Sequence, residues 1–295
     1  MQLTESERIQ AFRPVVTLAR LDTIEAAYLS EARRAAQWQL EVLKLQLFGG
    51  TPAHHLTLAS GPVAALKQAL ARALVDTAFM ASFSVYAELA QVETIRRGKE
   101  ARFSEEKPRA GEKLVVGAAL LAWYNEYAVR VVAEEQVWLL GRAKQLVHNL
   151  AAEDYEQQVV MGELDASFTG WSRNGAQRIA RTETARVYNQ ARYEQFEQQD
   201  GVIGYEITAI LDRRTCPLCR ARNGKRIPKD SFGGWRPPFH DLCRCTLVPC
   251  LDWETVGFDD PNEGPALQPG FGGTSLEIPA WHTRAGAMLG RLVRT

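Results

Sequence analysis

The sequence lacks several features, and each absence narrows the range of functions. Its 295 residues carry 35 basic and 35 acidic side chains and so have no net charge, which argues against a histone-like or polybasic nucleic-acid binder. The longest uninterrupted apolar run, Leu114 to Tyr124, is far shorter than the roughly 20 residues that a membrane-spanning helix needs. No basic region followed by an apolar stretch opens the chain, so we expect no secretory signal and folding in a cytoplasm.

Cysteine is absent from the first 215 residues, and all five cysteines lie between Cys216 and Cys250. Disulfides are unusual in a reducing compartment, so this clustering points first to metal ligation. The same part of the chain is basic, since residues 201–250 hold nine Lys or Arg against four Asp or Glu.

What the chain does have is a globular composition, with 46% hydrophobic and 24% charged residues. The first 150 residues are rich in helix formers, with apolar residues at helical spacing. We expect three long helices, from Val15 to about Phe48, from Pro62 to about Arg96 and from Glu112 to about Leu150. Gly49 to Pro52 and Gly98 to Gly111 are expected loops. Such helices indicate a bundle or an extended stalk, and their apolar stripes indicate core packing or, alternatively, an oligomer interface.

The second half changes in character. A fourth helix is expected from Gly175 to about Gln198, followed by a strand from Ile203 to Leu211 with one buried face. Asn223-Gly224 predicts a two-residue hairpin turn. A short closing strand is expected from Arg244 to Val248, before Pro249.

One pair of motifs carries chemistry: Cys216-Pro-Leu-Cys219 and His240-Asp-Leu-Cys243-Arg-Cys245. A C-x-x-C turn places two thiolates on one ion, and tetrahedral zinc then takes two ligands from a distant segment. His240 and Cys243 supply these, and Cys245 competes for the fourth position, so the choice among the three stays open. The alternatives are reduced cysteines that pack as small hydrophobes, or a redox or disulfide pair.

We interpret this zinc, one ion, as a structural staple. The five possible ligands favour a closed site, and no glutamate stands in an H-E-x-x-H or H-x-E setting. Because this part of the chain holds little apolar sequence, we expect metal binding to supply folding free energy. Cys250 is expected to be a packing residue.

Basic side chains surround the cysteines. Because guanidinium groups match phosphate oxygens, they are candidates for contact with a DNA backbone. The candidates are Arg213, Arg214, Arg220, Arg222, Lys225 and Arg226. The alternative is a solvated surface, partly paired with the acidic helix before it.

We therefore predict an α+β protein with three parts. Residues 1–170 form a long helical N-terminal region, residues 171–253 form a small zinc-stapled β module with its preceding helix, and residues 254–295 form an extended Pro/Gly-rich tail. A short terminal helix is expected from Ala280 to Val293.

The order of the motifs resembles the phage Mu F-like head morphogenesis family, over about residues 172–250. The matching stretches are Arg178-Ile-Ala-Arg-Thr-Glu-Thr184, Asn189-Gln-Ala-Arg192, Asp212-Arg-Arg-Thr-Cys-Pro-Leu-Cys219, Asn223-Gly224, Pro237-Pro-Phe-His240 and Cys243-Arg-Cys245. Family members often place a proline directly after the histidine, where this chain has Asp241.

The resemblance implies a structural minor head protein and no enzyme, with a role in procapsid assembly, DNA packaging or genome delivery at the portal vertex. It implies the phage portal protein and a major capsid or scaffold protein as partners, docked through the helical region. Packaged double-stranded DNA is a further candidate contact, and no membrane is implied. The location is the virion, after assembly in the bacterial host cytoplasm.

The resemblance also assigns a helix signature to Arg181, Thr182, Glu183 and Asn189. We expect Arg181 and Glu183 each to tie their helix to the β module that follows. The alternative function is a zinc-dependent nuclease or a DNA-binding module acting on phage DNA.

Overall fold

The computed structural model describes residues 18–100, 118–152, 156–254 and 256–263. The chain is mostly helical, with a small three-stranded antiparallel sheet, so the predicted α+β class holds. Three long helices come first: α1 over Leu18–Phe48, α2 over Ser60–Glu100 and α3 over Ala118–Ala152.

Where the ends of these three helices are described, they lie within a few residues of the predicted ends. The first ends at Phe48, where Gly50 takes a positive φ of 76°. The second continues to Glu100, so the loop predicted from Gly98 begins too early. The remainder of that loop, residues 101–117, lies outside the described residues.

The next helical stretch is longer than predicted. Helix α4 covers Gln157–Gly170, a π-helical turn covers Trp171–Gly175, and α5 covers Ala176–Glu197. Only α5 was expected from the sequence.

The sheet has the strand order β2-β1-β3, with β1 over Val202–Thr208, β2 over Arg226–Pro228 and β3 over Thr246–Leu251. In the centre of the sheet, Tyr205 lies opposite Ile227 on one side and Pro249 on the other. Strand β3 runs through Pro249 instead of ending before it, because an edge strand tolerates a residue without an N–H group. Strand β1 ends three residues earlier than predicted.

The prediction of a two-residue hairpin at Asn223-Gly224 is wrong. Residues 209–225 join β1 to β2 and include a short helix, α6, over Pro217–Arg222. Gly224, with a φ of 79°, instead turns the chain from α6 into β2. Its N–H donates to Ile207 O at 2.7 Å, which fixes the turn against the end of β1.

The β module shares an apolar core with α2. Tyr205, Ile207, Phe232, Phe239 and Leu247 are all fully buried in one cluster. The same cluster includes Val85 and Val92 of α2, so the module does not hold a complete core by itself. The expectation that metal binding supplies folding free energy stays a prediction.

The described residues fall into two compact units. Residues 23–75, 121–152 and 156–181 form one unit. Residues 18–22, 76–100, 118–120, 182–254 and 256–263 belong to the other, which holds the sheet. The division at residues 170 and 253 stays a prediction, and the predicted terminal helix over Ala280–Val293 lies outside the described residues.

One helical segment, Ser60–Val92, is long and apolar enough by length and composition to cross a membrane. A few polar residues interrupt this segment, so it contains no long uninterrupted apolar run. Its most apolar window is 53% buried inside the protein, and a core helix of a water-soluble protein passes the same test.

Candidate metal centre

The start of α6 brings the first two cysteines together. Cys216 is the N-cap residue of this helix, and Pro217 occupies its first turn, where its missing N–H group costs nothing. The N–H of Cys219 donates to Cys216 Sγ at 3.3 Å. Both sulfur atoms therefore lie on the same side of the helix start, as the C-x-x-C spacing predicts.

His240 faces this pair with one ring nitrogen. Its Nε2 lies 3.1 Å from Cys216 Sγ and 2.9 Å from Cys219 Sγ. Its Nδ1 lies 2.6 Å from the backbone oxygen of Asp241. A hydrogen bond donated by Nδ1 to a carbonyl oxygen leaves Nε2 with its lone pair, the form that binds a metal.

The two remaining candidate ligands complete a second group. The sulfur atoms of Cys219 and Cys243 lie 3.7 Å apart, close to the roughly 3.8 Å that tetrahedral bonds of about 2.3 Å to one zinc would give. The donor atoms of Cys219, Cys243 and Cys245 all lie within 4.8 Å of one another, as do those of Cys216, Cys219 and His240. Cys219 belongs to both groups.

All five predicted ligands thus meet in one place, and Cys250 does not belong to either group. Cys250 is fully buried in β3. Cys219, Cys243 and Cys245 are buried, whereas Cys216 and His240 are partly exposed. Since thiolates and imidazole are the ligands that zinc prefers, the donor set fits a metal ion.

The electrostatic surroundings favour one thiolate among the three buried sulfur atoms. Hydrogen bonds with Cys219 and Cys245 hold the pKa of Cys243 well below its ordinary value, and the thiolate is the form that binds metal. The hydrogen bond to Cys243 raises the pKa of Cys219, and the pKa of Cys245 is raised as well. Arg222 is only 4% exposed, and its guanidinium lies 4.3 Å from the ring centre of Trp235 and 4.7 Å from that of Phe239. Burial lowers the pKa of Arg222, while negative charge on Cys219, Cys245 and Cys243 opposes this. A buried cation therefore accompanies the cluster.

A surface pocket opens beside the two outer ligands. Its lining includes Ile210, Arg214, Cys216, His240, Leu242 and Arg244. Asp212 holds one wall in place, because its carboxylate accepts two hydrogen bonds from the Arg244 guanidinium, at 2.6 and 2.7 Å. This pairing lowers the pKa of Asp212 far below its ordinary value.

The six basic candidates for DNA contact have different environments. Arg213, Arg214 and Arg220 are exposed. Arg222 is buried, which corrects the expectation that it faces a phosphate backbone. The other two form ion pairs, Lys225 with Asp259 at 2.6 Å and Arg226 with Glu206 at 2.7 Å. Glu206 is in β1 and Asp259 follows β3. Neither is on the acidic helix that the sequence suggested as the partner of these basic side chains.

Two of the four signature residues on α5 contact the loop that carries the ligands. Thr182 Oγ1 accepts a hydrogen bond from Leu242 N at 3.0 Å. Asn189 Nδ2 donates to Cys245 O at 3.1 Å, and Asn189 Oδ1 accepts from Leu247 N at 3.2 Å.

The other two signature residues have partners among the helices. Arg181 pairs with Glu25 of α1 at 3.1 Å. Glu183, fully buried, pairs with Arg186 on the same helix at 3.2 Å.

Sequence reasoning missed an important buried pair. Arg192 on α5 donates two hydrogen bonds of 2.7 Å to Glu88 on α2 and another of 3.1 Å to Leu247 O. Arg192 stands at the end of a recognised motif, but its partner is 104 residues away in the sequence. No local spacing could have identified Glu88.

Comparison with known proteins agrees with this picture. Residues 142–248 match the model of a family described as phage Mu protein F like protein, which confirms the resemblance over about a third of the chain. The matched segment contains α4, α5, β1, β2 and all five candidate ligands. No curated protein and no solved structure matches the chain. Similarity to this family suggests a phage head morphogenesis protein that is part of the virion.

Proposed function

We propose that this chain is a structural minor head protein of a tailed bacteriophage that acts at the portal vertex. Its role would fall in procapsid assembly, DNA packaging or genome delivery. The observation that carries the proposal is the family match over residues 142–248, since the matched segment includes both the signature helix and the Cys/His cluster.

The metal in this proposal is zinc, held by Cys216 and Cys219 together with ligands from His240, Cys243 and Cys245. Zinc would supply a cross-link between the start of α6 and the loop before β3. The donor set and the sulfur separation of 3.7 Å support this choice.

A staple suits the position of the cluster better than a reactive centre does. The carboxylate of Asp212, near the pocket, accepts hydrogen bonds from both Nη1 and Nη2 of Arg244. A carboxylate in such a pair is a poor general base, because the adjacent cation stabilises its ionised form.

The proposed partners are the phage portal protein and a major capsid or scaffold protein, and packaged double-stranded DNA is a further proposed contact. Binding to the portal protein encoded by the same phage genome can be tested by mixing the two separately purified proteins. We expect them to form a stable complex. Absence of binding, together with normal head formation after deletion of the gene, would contradict the proposal.

A further inference from the structure

Arg222 lies at the end of the helix whose start carries two of the candidate ligands. Helix α6 ends at Arg222, three residues after Cys219, and residues at this spacing are neighbours on one face of a helix. Both side chains are buried. The side chain of Arg222 is therefore a neighbour of Cys219, whose sulfur atom belongs to both donor groups.

Two aromatic rings hold the guanidinium of Arg222 in place. It lies 4.3 Å from the ring centre of Trp235 and 4.7 Å from that of Phe239, in keeping with the tendency of a planar guanidinium to stack on aromatic faces. Phe239 directly precedes His240 in the chain. The stack therefore connects the end of α6 to the segment that supplies the remaining candidate ligands.

The charge of Arg222 acts on the sulfur atoms of the cluster. Arg222 interacts electrostatically with Cys219, Cys245 and Cys243. A buried cation is costly unless an anion compensates it, and a buried anion needs a cation for the same reason. Protonated thiols carry no charge, so it is the thiolate form of the cluster that compensates the buried guanidinium.

Other charged groups near the cluster have different surroundings. Arg244 also acts on the sulfur atoms, but its two hydrogen bonds to Asp212 offset its charge. Asp241 is partly exposed and Arg214 is exposed, so solvent and salt screen their charges. Arg222 differs from these groups because its charge is buried beside the cluster.

We propose that Arg222 is the counter-cation of the metal centre, a residue that does not bind the ion but raises the affinity for it. Zinc with three thiolates and one neutral imidazole carries one net negative charge, which a single arginine neutralises. Four thiolates would leave a second negative charge without compensation, so Arg222 favours His240 as one of the four ligands. The inference rests on the zinc site of the proposed function and names the residue that balances its charge.

Replacement of Arg222 by methionine tests this role, because methionine is a long side chain without the charge. We expect the zinc affinity of the full chain, measured by competition with a chromophoric chelator, to fall about tenfold to a hundredfold. A role in packing alone would instead lower the thermal stability of the metal-free protein and leave the zinc affinity unchanged.

Two further variants separate charge from packing. Arg222→Lys keeps the charge but not the planar stack, so its zinc affinity should lie closer to that of the wild type than to that of Arg222→Met. Arg222→Gln has no charge and should resemble Arg222→Met. If Arg222→Met does not fold, the comparison of Arg222→Lys with Arg222→Gln gives the same test.

The matched control is Arg220→Met, which removes an exposed arginine of the same helix. Because solvent screens an exposed charge, this variant should bind zinc within about twofold of the wild type. An equal loss of zinc affinity in Arg220→Met and Arg222→Met would contradict a specific role for the buried arginine.

The charge balance also predicts the ligand set. His240→Ala should lower the zinc affinity at least as much as Arg222→Met does, because it removes a ligand. A site with four thiolates would not need His240, so an unchanged affinity in His240→Ala would overturn the charge balance.

The outcomes separate the inference from the proposed function. If the wild type binds no zinc, the zinc site of the proposed function fails and the counter-cation fails with it. If the wild type binds zinc and both Arg222→Met and Arg222→Gln bind it equally well, only the role of Arg222 is wrong. Equal losses in Arg222→Lys and Arg222→Met would show that the stack on the two rings matters and the charge does not, which would also overturn the inference.

Discussion

The guanidinium of Arg192 is a buried charge that depends on a buried partner of opposite charge. Its side chain is 1% exposed and that of Glu88 is fully buried. Burial alone would lower the pKa of Arg192, but Tyr188 and Glu88 raise it above its ordinary value. The arginine therefore stays charged and depends on its partner.

We expect Arg192→Met to be strongly destabilising, because it leaves the Glu88 carboxylate buried without its cation. Removal of one partner of a buried pair costs about 3–5 kcal/mol, measurable as the free energy of unfolding in urea. Lys225→Met is the matched control, since the Lys225–Asp259 pair is about one-third exposed and pairs that contact solvent contribute little to stability. Equal losses in the two variants would contradict this account of Arg192.

At the residue scale, the candidate ligands could be predicted from the sequence. The burial of Arg222 and the pairing of Glu88 with Arg192 could not. The C-x-x-C and H-x-x-C-x-C spacings are local, so they show in the sequence which sulfur atoms can meet. Arg222 is buried because its guanidinium packs over the rings of Trp235 and Phe239, which lie more than ten residues away in the sequence. The spacing between Arg222 and these two residues gives no sign of this contact.

At the scale of elements, Gly204 in β1 lets Phe258 and the backbone of Ile227 pack close to the strand. A Cβ added at Gly204 would lie 2.3 Å from Phe258 Cε1 and 2.7 Å from the backbone oxygen of Ile227. The chain after β3 therefore packs directly on β1 where a glycine leaves space, next to the irregular register between Val202 and Gly204.

Gly204→Ala should consequently lower the free energy of unfolding by about 1–3 kcal/mol, as expected for overpacking. Gly162→Ala is the control, since nothing lies within 4 Å of the added Cβ in the middle of α4. This helical replacement should stabilise by up to about 1 kcal/mol. Urea unfolding of both variants measures the difference, and a neutral Gly204→Ala would show that Phe258 does not pack there.

The same segment is held by a carboxylate. Asp259 accepts hydrogen bonds from Arg226 N at 2.8 Å and Lys225 Nζ at 2.6 Å. These contacts lower the pKa of Asp259, the backbone hydrogen bond first and Lys225 second.

A lowered pKa means that the contribution of Asp259 to stability is complete above the unfolded-state pKa of about 4. It is lost as the pH falls through the lower pKa of the folded state. We expect wild type to be more stable than Asp259→Asn at pH 7 and the difference to shrink as the pH falls below about 4. A difference in unfolding free energy that stays constant down to pH 2 would contradict this assignment.

Elements with strong periodicity were predictable, and those set by contacts were not. The three long helices and β1 follow from apolar spacing, so their positions came out within a few residues. The short helix α6 was missed because Asn223-Gly224 has the composition of a hairpin turn. The Cys216 cap and the Gly224–Ile207 hydrogen bond instead direct the chain through a helix before the turn.

At the scale of the whole molecule, the central claim is that one ion joins the start of α6 to the loop before β3. The sequence predicted the candidate ligands, but not that α2 contributes Val85 and Val92 to the apolar core of the β module. Because of that core, we expect metal loss to loosen the ligand loop and not to unfold the whole module.

Zinc content, by elemental analysis of protein purified without added metal, tests this claim most directly. We predict about one zinc per chain in the wild type, as in a closed structural site. Cys219→Ala, which removes the sulfur common to both donor groups, should lose the zinc. Cys250→Ala, whose sulfur belongs to neither group, should retain it. Near-zero zinc in the wild type would contradict the account.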